Sequence, residues 1–263
     1  MLFLLPPSET KATGGKSLSI AQVALTFGAL NAVRDRVYGA LRAVCEGDIA
    51  EAAKTLGLSA KRAHEVQINL EVQQAPVMPA IARYSGTLYD AIHGRGLKGS
   101  PTEHNTLSAN EFAVAKQIVF IQSSLFGLIP ATDLIPNYRM SASTKLPGLS
   151  LKGEWSQAHE LIWPRLSGGP IIDLRSKAYA ELAPIPSGIE HFVLDVEQER
   201  PDGSRVRLNH FNKKAKGQLI HAVLTGAKVP TSIDELAVVA LSAGLRLELG
   251  EAGHLTLVTR EGS

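Results

Sequence analysis

Met1-Leu-Phe-Leu-Leu-Pro-Pro-Ser-Glu-Thr-Lys11 opens the chain with five apolar residues, two prolines and a short polar run. An apolar run of this length, stopped by Pro6-Pro7, reads as a buried strand, and Pro6–Ser17 reads as a loop. Beyond it, apolar residues recur at helical spacing from 20 to 45 (Val23, Phe27, Leu30, Val33, Val37, Leu41, Val44). Residues 48–56 and 59–72 read as two short helices joined by Leu56-Gly57-Leu58-Ser59, and Pro76 and Pro79 introduce a further helix that ends near Ile92. The Gly-rich polar stretch 93–106 reads as a loop.

Later in the chain the signals turn to strands. Ile118–Ile121, Pro170–Leu174 and Phe192–Glu199 are short apolar or alternating runs. Arg205–Leu208 can pair back on the last of these across the turn sequence Arg200-Pro-Asp-Gly-Ser204. Residues 212–225 and 232–243 read as helices, the second with Thr231 or Ser232 as cap and Glu235 near the capping-box position. Leu245–Leu249 and Leu255–Thr259 alternate around Gly250-Glu-Ala-Gly253, a hairpin signal. Strands and helices mix without a regular βαβ beat or internal repeat. The pattern predicts one α+β domain over 1–263, helix-rich early and strand-rich late.

Composition narrows the function. The chain has 263 residues, 44% hydrophobic and 20% charged, which excludes a mainly disordered protein. The single Cys45 excludes an intramolecular disulfide framework and Cys-cluster metal sites; on an apolar helix face it reads as a core thiol. No apolar run approaches the roughly 20 residues of a membrane span, and the start lacks the basic leader of a signal peptide. A soluble, cytoplasmic protein with no membrane partner is expected.

Several motif matches lack their chemical context. Gly94-Arg-Gly-Leu-Lys-Gly99 matches G-x-G-x-x-G but follows a helix and precedes Ser100-Pro101, so an exposed loop is expected. Thr13-Gly-Gly-Lys-Ser17 follows a strand and precedes a helix, as a phosphate loop does, but the first glycine of that motif is replaced by Thr10. Ser8-Glu-Thr-Lys11 matches S-x-x-K without the S-D-N and K-T-G partners of penicillin-binding enzymes. His159-Glu160 stands without a second metal-spaced histidine, and His210 and His221 read as a core or surface pair; no metal or cofactor is expected.

Charge placement says more than the formal net charge of +2. Between Asp202 and Asp234 lie Arg205, Arg207, Lys213, Lys214, Lys216 and Lys228 with no acid. Arg139, Lys145 and Lys152 fall between Asp133 and Glu154, and Lys11, Lys16 and Arg34 between Glu9 and Asp35, again without acids. If the fold gathers the three stretches, they make a site for phosphate or another polyanion. Asn212-Lys-Lys-Ala-Lys-Gly217 sets lysines at a helix start, where the dipole disfavours them unless an anion compensates. Leu56-Gly57-Leu58, followed by Lys61 and Arg62, resembles the hairpin of a helix-hairpin-helix element, whose amides grip DNA phosphates.

Six segments taken in order resemble the YaaA family of bacterial peroxide-stress proteins, also called UPF0246 or DUF328. They are the opening through Lys11, Tyr84-Ser-Gly-Thr-Leu-Tyr-Asp90, Ser123-Ser-Leu-Phe-Gly127, Asp133-Leu-Ile-Pro-Asn-Tyr-Arg139, Asp173-Leu-Arg-Ser-Lys-Ala-Tyr179 and Lys213-Lys-Ala-Lys-Gly217. The resemblance implies a mixed α/β cantaloupe fold, a positively charged cleft, a helix-hairpin-helix element and binding to double-stranded DNA, with no obligate protein partner. Carried over, the cleft draws on Lys213, Lys214, Lys216, Tyr138, Arg139, Ser176 and Tyr179. Lys11, Lys16 and Arg175 join them as expected phosphate contacts. The chain departs from the family at Phe126 and Phe211, each in place of a tyrosine, and at Lys216 in place of an arginine, which keeps charge but loses bidentate geometry.

Two functions follow as expectations. The first is a DNA-binding stress protein that holds duplex phosphates and protects against hydroperoxide and oxidative DNA damage. The second is an enzyme acting on a nucleotide, nucleobase or other phosphorylated substrate. It would draw on the polar set Ser8, Thr10, Lys11, Tyr89, Asp90, Tyr138, Arg139, Ser176, Tyr179 and Lys214, with Asp90, Tyr89 and Lys214 as catalytic candidates, Asp90 as base, and lysine or arginine to stabilise developing charge. Direct iron storage or thiol peroxidase chemistry finds neither a Glu-x-x-His pair nor a reactive-Cys motif.

Overall fold

A computed structural model describes residues 1–94, 107–207, 212–251 and 253–260. Most of the 93–106 loop with the remainder of its G-x-G-x-x-G match lies outside these residues, as do Leu208, His210 and Phe211. In chain order the elements are β1 (Leu2–Leu5), α1 (Asn31–Cys45), α2 (Ile49–Thr55), α3 (Val66–Leu70), β2 (Met78–Pro79), α4 (Ala80–Arg83) and α5 (Thr87–Ile92). There follow α6 (Ala109–Ile118), β3 (Val119–Ser123), β4 (Gly127–Pro130), β5 (Leu134–Ile135), α7 (Leu151–His159), β6 (Ile171–Asp173) and α8 (Lys177–Ala180). The last are β7 (His191–Glu199), β8 (Arg205–Arg207), α9 (Asn212–Thr225), α10 (Ile233–Ser242), β9 (Arg246–Leu249) and β10 (His254–Arg260).

The fold is α+β around a mixed eight-stranded sheet, in the order β4-β3-β1-β6-β7-β10-β9 with β8 on β7. β1 lies between β3 and β6, parallel to both, and Phe3, Leu4 and Leu5 are wholly buried. A strand covered on both faces needs an unbroken apolar run, and the opening supplies one. β7 and β10 continue the parallel set, while β4, β8 and β9 add antiparallel edges. The β9–β10 hairpin and the β7–β8 pairing follow the sequence reading. The parallel centre does not: five strands share one direction although the sequence shows no βαβ beat. The crossovers are too long and irregular to leave one, the first running from Leu5 to Val119. Among themselves the parallel strands take the order 2-1-3-4-5, so the chain switches direction between β1 and β6. In open sheets, ligands bind outside the carboxyl ends of the strands at such a point.

Three helix readings need correction. The helix expected from 20 becomes two 3-10 turns, Ile20–Gln22 and Gly28–Leu30, and an α-helix only from Asn31; between the turns Asp133 takes the Thr26 amide (2.8 Å) and hydroxyl (2.6 Å). Behind Thr13–Ser17 stands only a single 3-10 turn, Ile20–Gln22, and Lys16 donates its amide to Val77 O at 2.8 Å. The helix expected up to Ile92 breaks into α4 and α5 at Gly86 (φ 99°), where Ser85 N–H turns to Thr10 O. Residues 59–72 are a 3-10 segment, Ala60–Glu65, followed by α3. Cys45 is buried in the core as expected.

Candidate functional site

Three loops leave the carboxyl ends of β1, β3 and β6 side by side; they carry Lys11, Lys16, Arg175 and Ser176, while Tyr138 and Arg139 follow β5 and the lysines of 213–216 lie on α9. After β1, Pro6 O accepts from Tyr89 Oη at 2.8 Å, which ties the loop to α5. The chain then runs along residues 83–86: Lys11 bridges to Tyr84, and Ala12 N–H donates to Arg83 O. Arg83 is buried and staples this loop through carbonyls of Ala12, Gly14, Pro76 and Ile135. Nothing in the sequence marked Arg83, because its partners are all backbone.

Lys11 ends up inside the protein, 7% exposed. Its Nζ donates to Ser8 O at 3.0 Å and lies 4.1 Å from the centre of the Tyr138 ring. Burial, reinforced by the Arg139 charge, lowers its pKa well below that of an ordinary lysine; Glu9 opposes the shift. The S-x-x-K reading fails here on geometry, since Lys11 meets the Ser8 carbonyl and the Ser8 hydroxyl faces Thr10 at 3.2 Å.

Tyr84 and Tyr138 flank Lys11, and Tyr89 packs on Tyr84 with ring centres 5.4 Å apart. Tyr84 and Tyr138 share a hydroxyl contact of 2.8 Å, and Ser123 Oγ lies 2.9 Å from Tyr138 Oη. Ser123 Oγ also accepts the amides of Leu125 and Phe126, which fills its lone pairs and directs its proton to Tyr138. This explains the serine that opens Ser123–Gly127. The closing glycine has φ 68°, and a Cβ there would stand 2.6 Å from the Trp155 ring. Tyr179 is half-buried nearby, its pKa raised by burial and by Tyr138.

Arg139 joins the cluster with its charge already engaged. It sits 2.5 Å from Glu65 and donates to Glu9 O, and Asn69 clamps its backbone with bonds of 2.7 and 2.8 Å. Glu65 also receives Arg62 in two contacts, and together the two arginines hold its carboxyl below the usual range. Glu65 and Asn69 escaped sequence reading because they act on a residue seventy positions away.

After β6, Arg175 makes two 2.8 Å bonds to Asp173 and one to Ala183 O, with its side chain wholly buried. That arrangement closes the β6 loop and turns no guanidinium edge to solvent. Ser176 is exposed at the start of α8. Lys216 reaches back from α9 to donate to Leu174 O at 3.1 Å. Burial lowers its pKa to about 8, against the pull of Asp173 and Asp195. Between pH 8 and the ordinary 10.5 the unfolded chain therefore holds a proton that the folded one has lost, so stability rises with pH there. Thermal melts of wild type across this window will show that rise, and Lys216→Met will reduce it, the remainder belonging to Lys11, whose pKa burial also lowers; identical profiles would refute the assignment.

Lys213 is exposed and Lys214 half-buried in the first turn of α9, Lys16 is exposed on the β1 loop, and Asp90 is half-buried on α5. Tyr89 is buried with its hydroxyl on Pro6. At Leu56-Gly57-Leu58 the three amides donate to Ala52, Lys54 and Ala53 carbonyls and close α2, so none is turned outward for a phosphate; Lys61 is exposed just beyond. Among the described residues no His/Cys/Asp/Glu group is placed to hold a metal ion, and no helix is long and apolar enough to cross a membrane.

The architecture is thus a mixed-sheet protein whose buried lysine, tyrosines and paired arginines meet at the carboxyl ends of β1, β3 and β6. The peroxide stress protein YaaA family matches residues 1–246, and the chain belongs to that family. It is 37% identical to a UPF0246 protein of Corynebacterium efficiens, over 98% of each chain. Identity is 36% to a UPF0246 protein of Corynebacterium glutamicum (94% of this chain, 95% of the relative) and 35% to one of Streptomyces coelicolor (94% and 92%).

Proposed function

We propose that this peroxide-stress family member binds double-stranded DNA through phosphate contacts at the carboxyl edge of the sheet. The observation that supports this reading is the meeting of three sequence-distant basic stretches there: Lys11 follows β1, Arg139 donates to Glu9 O, and Lys216 donates to Leu174 O. Arg139 and Arg175 are charge-paired and Lys11 and Lys216 are buried, so the work of contact falls to the exposed Lys16, Lys213 and Ser176 and the half-buried Lys214 and Tyr179. Such contacts read little sequence. With about three phosphates neutralised, affinity for a duplex will fall roughly 40-fold between 50 and 200 mM salt. Lys213→Ala will lower the slope of log affinity on log salt by about one. A salt-independent affinity, or a slope unchanged in the variant, overturns the reading.

Lys11 favours the second function, an enzyme acting on a nucleotide, nucleobase or other phosphorylated substrate. A desolvated amine beside another cation is the state in which lysine serves as base or nucleophile. A nucleotide panel followed by mass spectrometry tests it: turnover that Lys11→Arg abolishes supports it, and no turnover of any member refutes it.

A further inference from the structure

The sheet has two unlike ends. β4, at one, is buried throughout. β9, at the other, is exposed at Arg246 and Leu249 and half-buried between them. Gly250 N–H donates to His254 O at 2.9 Å. Bonding alternates along an antiparallel ladder, so Glu248 and Arg246 are the next residues bonded to β10, and Leu247 and Leu249 turn their backbone N–H and C=O groups to the open edge. Side chains alternate as well. Arg246 and Glu248 share one face of the sheet, held there by Glu199 (3.1 Å) and Arg205 (2.7 Å). Leu247 and Leu249 lie on the other face, opposite Leu257 and Leu255. α10 packs against β9 and α9, and away from both it exposes Val238 (69%) and Leu241 (70%). With Leu249 (67%) these are three of the six large apolar side chains that the described residues leave exposed, gathered in one unit of helix and edge strand. An open strand edge with apolar side chains around it is a template for another strand.

We propose that β9 pairs antiparallel with β9 of a second copy of this chain about a two-fold axis at Leu247, so that the two sheets become one and α10 lies beside its counterpart. The charges of the strand select this occupant and this register. With Leu247 opposite Leu247, Arg246 of each copy faces Glu248 of the other on the same sheet face. Sliding the pairing by two residues sets Arg246 opposite Arg246 or Glu248 opposite Glu248, which like-charge repulsion disfavours. Sliding it by one lays the charged face of one copy over the leucine face of the other. In the favoured register Leu247 exchanges backbone bonds with its counterpart, because its N–H and C=O are among the groups turned outward. Glu199 and Arg205 already order Arg246 and Glu248, so aligning them across the axis costs little further side-chain entropy. The two-fold reverses strand direction, so the carboxyl ends of β1, β3 and β6 in the two copies point opposite ways and take no part in the contact.

Sedimentation velocity of the full chain from about 5 to 500 μM is the test, a range that suits a contact of this modest size. The mass will rise from monomer toward dimer with concentration. Arg246→Glu sets glutamate against glutamate across the axis, and Glu248→Arg sets arginine against arginine; each variant alone will associate at least roughly tenfold more weakly than wild type. An equimolar mixture of the two variants will recover wild-type affinity within about threefold, because every glutamate of one chain then faces an arginine of the other. The mixture also guards against misfolding, since only folded chains can recover the pairing. A monomer at every concentration, variants that associate like wild type, or a mixture no tighter than its components would overturn the proposal.

Discussion

Gly217→Ala will destabilise the protein by about 3 kcal/mol or more, lowering the melting temperature by roughly 10 °C for a chain of this size. α9 crosses α5 so closely that a Cβ at Gly217 would stand 2.3 Å from Leu88 O and 2.7 Å from Ala91 Cβ. The first of these atoms is backbone, so relief requires moving a helix. α9 carries Lys213, Lys214 and Lys216, and the same shift draws Lys216 away from Leu174 O. A control of opposite sign lies in α1: Gly39 is exposed, and nothing stands within 4 Å of its added Cβ. Gly39→Ala will therefore stabilise by about 0.5–1 kcal/mol through helix propensity alone. Thermal denaturation of both variants is the measurement. If Gly217→Ala melts at or above the wild-type temperature, the close crossing is wrong.

Acidification from pH 6.5 to 4 will cost about 3 kcal/mol through His159. This imidazole is wholly buried; its Nδ1 donates to Trp155 O at 2.6 Å and its Nε2 accepts the Leu128 amide at 3.0 Å. Only the neutral ring makes both bonds. Burial lowers its pKa to about 4, the Trp155 carbonyl opposing the shift. Between pH 4 and 6.5 the unfolded chain binds a proton that the folded one refuses, so stability is full above 6.5 and lost as pH falls toward 4. Asp133, raised by burial, pulls weakly the other way. Denaturant unfolding at half-unit pH steps will resolve the fall, and His159→Gln will flatten it. A wild-type curve already flat over this window would sink the assignment.

Both predictions rest on residues whose importance sequence conveyed only in part. Lys213–Gly217 stood out by charge and by family resemblance, but the reason for its glycine is the α5 helix more than a hundred residues away. His159 showed no metal spacing, and its role became legible only once Trp155 and Leu128 closed over it. Lys11, Tyr138 and Arg139 were marked as cations and a phenol for phosphate. The fold buries the first two and pairs the third with Glu65, a carboxylate that sequence reading had assigned to no site.

By itself the sequence determined local matters: the buried opening strand stopped by Pro6-Pro7, the Ser232–Glu235 helix start, the late hairpin, and a basic bias in three separate stretches. These depend on neighbours within a few residues, where propensity, capping and alternation act. Tertiary structure alone decided the parallel centre of the sheet, the breaks at Thr26 and Gly86, and which cations are spent on carbonyls and carboxylates. Those outcomes turn on partners tens to hundreds of positions apart, and a charge in a sequence carries no mark of what will neutralise it.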